Sequence, residues 1–150
     1  MTFNGTLVIL LQMFIARMIR SRPVWKLIAF SYTAFAIVGE GYAFAPSLSL
    51  LLATEFVFTL GEMVGLPQLQ NTVGLLAPED KRGAYFAIFG VRWSLAETFG
   101  PLLGGFTMHV AGGKVLFSSL GLLIIVSGAF LVRMLYARTA RDAASVQLTA

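Results

Sequence analysis

The chain has 150 residues, 57% of them hydrophobic and only 12% charged. A soluble domain carries roughly 25% charged residues to cover its surface, so an ordinary water-soluble globule is excluded. With no cysteine and a single histidine, His109, disulfides, thiolate chemistry and His/Cys metal clusters are excluded as well. The net charge of +4 would suit nucleic acid only if the basic residues shared one soluble face. They sit instead between long apolar runs, as in a protein whose partner is the lipid bilayer.

Crossing a hydrocarbon core of ~30 Å takes roughly 20 apolar helical residues. Five runs approach that length, predicting an all-α membrane protein with five transmembrane helices. The first, about 3–18, ends in the basic group Arg17, Arg20, Arg22 and Lys26; having no charge ahead of it, it does not read as a signal peptide. The second, about 24–44, opens after Pro23, which suits a first helical turn because no backbone N–H is needed there. The third, about 47–69, follows Pro46; the fourth spans about 83–108 and the fifth about 115–132. Residues 1–137 thus form one five-span unit, and 138–150 a cytoplasmic tail expected to be disordered.

Basic loops mark the cytoplasmic side. With alternating spans, Arg17, Arg20, Arg22, Lys26, Lys81, Arg82, Arg133, Arg138 and Arg141 fall together, against Lys114 alone on the other side. The expected orientation is N-terminus outside and C-terminus inside, in the plasma (inner) membrane. Trp25 and Tyr136 then lie near the inner interface and Tyr42 near the outer one.

Ionisable residues inside a membrane are costly, so each is a functional candidate. Glu40, Glu55, Glu62, Arg92 and Glu97 fall within the spans. At ~1.5 Å per residue from the inner ends, Glu62 lies ~10 Å deep and Arg92 ~13 Å, with Glu55 and Glu97 both near ~21 Å. Two readings stay open: Glu62 and Arg92 clamp two helices as a buried ion pair, or one of the carboxylates exchanges protons or binds a cationic substrate. Glu40 reads as interfacial, Gln12 as a candidate to face a cavity, and Gln68, Gln70 and Asn71 as polar residues capping helix ends. His109 reads as a solvated loop residue. Ala96, Gly100 and Gly104 recur every four residues, a stripe suited to close helix packing in lipid, and Pro101 should kink that helix.

Three stretches carry a family resemblance. FNGTLVILLQ with ARMIRSRPVWKL is similar to the eighth helix and following basic loop of the major facilitator superfamily. GEMVGLPQLQNTVGLLAPEDKRGAYFAIFG, from Gly61 to Gly90, resembles the end of the tenth helix, the inner loop carrying Pro78, Arg82 and Gly83, and the start of the eleventh. FGPLLGG resembles the core of the antiporter motif, with Gly100, Pro101, Gly104 and Gly105 in its fixed positions, although Arg92 falls where that motif has a small residue. The resemblance implies helices eight to twelve of a twelve-helix secondary transporter. The first half's helices two to six are the alternative placement, because the two halves are related repeats. It further implies proton-coupled export of a small molecule or drug, no enzymatic activity, no cofactor, and a need for the missing N-terminal helices or a partner chain. Candidate substrate or proton residues are Glu55, Glu62, Arg92, Glu97 and Gln12. The competing expectation is a stand-alone five-span assembly or accessory protein without transport activity.

Overall fold

The structure, a computed structural model, describes residues 2–148, with side chains over 5–141. It is all-helical: α1 (Thr2–Ile19), α2 (Val24–Phe44), α3 (Leu48–Leu76), a 3-10 turn (Glu79–Lys81) and α4 (Arg82–Leu148). The helix starts follow the punctuation of the sequence. α2 begins after Pro23, and α3 after Ser47, whose hydroxyl accepts the Leu50 N–H at 3.3 Å.

Two helices end beyond their apolar runs. α3 continues past the apolar run to Leu76, and within this stretch Thr72 Oγ1 donates to the Gln68 carbonyl at 2.7 Å. It stops where Pro78 excludes the helical region for Ala77, which sits at φ −79 and ψ 125. α4 runs through the expected boundary near residue 132 to Leu148, in keeping with the Ala, Arg, Gln and Leu content of its last turns. Within α4 the backbone stays helical through Pro101; the break falls at Gly112, whose φ of +82 and ψ of 165 suit a residue without Cβ. Gly112 divides α4 into two arms, residues 82–111 and 113–148.

Among the described residues three helices are long and apolar enough to cross a membrane: Val24–Phe44, Leu48–Leu76 and Glu79–Arg141. The last contains both arms, while the described apolar part of α1, Gly5–Ile19, is shorter.

α2 is the centre of the bundle, between α3 and the second arm of α4. Its seam with α3 is closed by small residues: Ser31, buried at 1% exposure, donates to the Gly61 carbonyl at 2.7 Å. A Cβ on Gly61 would lie 3.1 Å from Ala34 and Phe35. On its other side, a Cβ on Gly39 would lie 2.9 Å from the Phe117 carbonyl oxygen. Such glycine seams bring backbones close in lipid, where packing rather than hydrophobicity drives association. α1 packs against α2 and α3 through Ile15, Leu27 and Val64.

The first arm of α4 is different. Phe86 comes near Gly74 of α3, and Trp93 shares a cavity with Leu66. Beyond these points the arm is largely exposed, with Ile88, Leu102 and Phe106 each about two thirds or more accessible at 74%, 67% and 68%. The Ala96–Gly100–Gly104 stripe packs on nothing described: a Cβ on Gly100, Gly104 or Gly105 would have open space around it.

Candidate functional site

α3 spans 48–76, so Glu62 is its middle residue, ~21 Å from either end rather than ~10 Å from one. Gly61, Val64 and Gly65 turn toward the packed side of α3 and are buried. Glu62, one step around the helix from Gly61, borders two cavities.

The first, about 790 Å³, lies between α1 and α3 and is lined by Gln12, Arg20, Arg22, Glu62, Gln68 and Asn71 among others. Gln12 thus borders a cavity. Gln68 and Asn71 border the same cavity instead of only capping a helix end, because α3 extends beyond them. Arg20 and Arg22, read from sequence only as topology signals, line it as well. The second cavity, about 390 Å³, is apolar and aromatic, walled by Phe35, Phe58, Leu66, Trp93 and Phe117, with Glu62 as its one carboxylate. A central carboxylate bordered on one side by amides and guanidinium groups and on the other by aromatic rings is equipped to hold a proton or a cation with an apolar body.

The other candidates are placed separately. Glu55 accepts a hydrogen bond from Tyr42 Oη at 2.6 Å across the α2–α3 hairpin. Tyr42, read from sequence as an interfacial aromatic, is thus the partner of a membrane carboxylate. Register could have revealed this: the short turn between α2 and α3 also pairs Gly41 with Thr54 and Gly61 with Phe35.

Arg92, one half of the clamp that the sequence left open, packs on aromatic rings. Its guanidinium lies 3.5 Å from the centroid of Phe89 and 5.5 Å from that of Trp93, and its buried Nε has no hydrogen-bond partner. The Gly74–Phe86 contact sets Glu62 roughly level with Glu97, with Arg92 ~9 Å nearer the loop along its helix. Glu97 is exposed on the first arm. In the loop, Pro78 precedes the 3-10 turn, Arg82 makes an exposed 3.9 Å ion pair with Glu79, and Gly83 lies in open space.

Among the described residues no cluster of three or more His, Cys, Asp or Glu is placed to hold a metal ion.

Apolar helices long enough to span a bilayer, joined on glycine seams, are those of an integral membrane protein. The chain belongs to the Major Facilitator Superfamily, whose family model matches residues 1–148. It is 34% identical over 98 residues to the uncharacterized MFS-type transporter YhjO of Bacillus subtilis, covering 65% of this chain and 24% of that protein. It is 34% identical over 93 residues to the lincomycin resistance protein LmrB of the same organism, covering 61% and 19%. A Na(+), Li(+), K(+)/H(+) antiporter of Planococcus maritimus is 26% identical over 143 residues, covering 95% and 34%. The chain thus spans between about a fifth and a third of the length of these relatives. No solved structure matches it.

Proposed function

We propose that these residues form five membrane-crossing helices of the second half of a proton-coupled exporter of small molecules or drugs, in the plasma membrane, with Glu62 as the coupling carboxylate. The observation that carries this reading is the position of Glu62, in mid-helix between a polar and an aromatic cavity. Alternation of the carboxylate between a proton and a cationic substrate needs such a site near the midplane. The antiporter and drug-resistance names among the relatives favour the same reading. Transport also needs a facing half, so the 150 residues by themselves are expected to be inactive. The competing reading, a five-span accessory protein, draws on the exposed first arm of α4, which other helices outside the described residues would cover in either case.

The test is a split of two transport modes. The chain is co-reconstituted with the first seven helices of a matching parent, and Glu62→Gln is compared with the unaltered sequence. Loss of proton-driven uptake into inverted vesicles with retention of substrate counterflow is the expected result. Equal activity in both modes would remove Glu62 from the coupling step.

A further inference from the structure

We propose that the groove between α2 and the second arm of α4 binds a lipophilic cation, a primary ammonium head on a single alkyl tail, entering sideways from the bilayer. The two helices close on each other at two levels. At one, a Cβ on Gly121 would lie 3.2 Å from the Ala36 carbonyl oxygen; at the other, a Cβ on Gly128 would lie 2.6 Å from the Tyr32 ring. Beside this seam opens a cavity of about 540 Å³, with Ala29 and Val132 toward one end and Glu40 toward the other. Its wall is apolar apart from Tyr32, Thr33 and the Glu40 carboxylate.

Glu40 accepts a hydrogen bond from Ser118 Oγ at 3.1 Å, and among the described residues this neutral hydroxyl is its one partner. The basic side chain nearest in register, Lys114, lies one turn beyond Ser118 and is turned to the Phe44 ring, 5.5 Å from its centroid. A carboxylate within an apolar helix ordinarily pairs with a cation or faces water. Glu40 is exposed near the C-terminal end of α2, at the mouth of an apolar groove, so the complementary ligand keeps a positive head at the carboxylate and lays an apolar body along the groove. A neutral or anionic amphiphile would leave the charge unanswered. From Glu40 to Ala29 the groove runs ~16 Å along α2, the reach of an extended medium-length tail. Trp25 lies one turn past Ala29, edge-on to Tyr136 with ring centroids 5.3 Å apart, and marks the level the tail end would reach.

This site is separate from the Glu62 cavities and does not depend on the chain taking part in transport. The test uses the full chain carrying Trp93→Phe, so that Trp25 is its sole tryptophan, in phosphatidylcholine nanodiscs. Quenching of Trp25 is followed on titration with ω-bromododecylamine and with ω-bromododecanol. The amine should quench saturably with a midpoint about tenfold below that of the alcohol. Glu40→Gln should raise the amine midpoint by about tenfold and leave the alcohol unchanged. Ala129→Phe, at an exposed position of the wall, should abolish the saturable component. Equal quenching by amine and alcohol on the unaltered groove, or quenching that never saturates, shows simple partition into the bilayer and overturns the proposal. That comparison stands even where a variant fails to fold. An amine midpoint unmoved by a folded Glu40→Gln would overturn it equally.

Discussion

The Tyr42 hydroxyl meets the Glu55 carboxylate in the half-buried seam of the α2–α3 hairpin, and the bond joins two helices. Interhelical hydrogen bonds of membrane proteins contribute ~0.6 kcal/mol on average and up to ~1.7 kcal/mol. One to a carboxylate belongs toward the upper end of that range. Tyr42→Phe should therefore destabilise the chain by ~1 kcal/mol and Glu55→Gln, which keeps an acceptor, by less. Unfolding in mixed micelles, followed by tryptophan fluorescence, measures both. A Tyr42→Phe chain as stable as the unaltered one would show that the bond contributes nothing. Residue identity alone marked Glu55 and Glu62 as unusual, because carboxylates are scarce in apolar helices. It left their partners undetermined: hairpin register brings Tyr42 to Glu55, and within its own helix Arg92 lies over Phe89, one turn away.

Among the helices, glycine spacing has different consequences depending on what faces it. Gly39 lies against Phe117 and Gly121, whereas Gly100, part of the small-residue stripe read from sequence, faces open space. Gly39→Val forces backbones apart and should cost ~1–3 kcal/mol, as overpacking does. Gly100→Val should leave the stability of the chain alone within ~0.5 kcal/mol and lower its association with the remaining transporter helices. Thermal unfolding of the two variants side by side checks the contrast, and similar losses for both would contradict it. The prolines made the starts of α2 and α3 legible to within a residue or two. The end of α3 was not, because apolarity stops near Leu69 while helical hydrogen bonding continues to Leu76, and it is the Ala77–Pro78 pair that ends it. The break at Gly112 was visible as a Gly-Gly step between two apolar runs, but sequence alone gave no sign that only the second arm would find a packing surface on α2.

For the whole molecule, the basic residues and the reversal of register at Gly112 bear on topology together. The contacts Gly74–Phe86 and Tyr32–Gly128 run the first arm of α4 antiparallel to α3 and the second antiparallel to α2. A reporter active only in the cytoplasm should give signal when fused after residue 80 or 145 and none when fused at Ala45 or Gly112. Signal at Gly112 without signal at residue 80 would reverse the orientation.

The first arm of α4 is exposed, with Leu102 and Phe106 among its accessible side chains, and in the proposed reading the rest of a transporter closes on it. The central claim is that this chain is part of one half of a two-part machine, and its most direct test is substrate transport in proteoliposomes under an imposed proton gradient. The measurement compares the 150-residue chain alone with the same chain co-reconstituted with the first seven helices of a matching parent. The account predicts no accumulation for the chain alone and gradient-dependent accumulation for the pair. Uphill transport by the purified chain on its own, from a defined homo-oligomer, would contradict it.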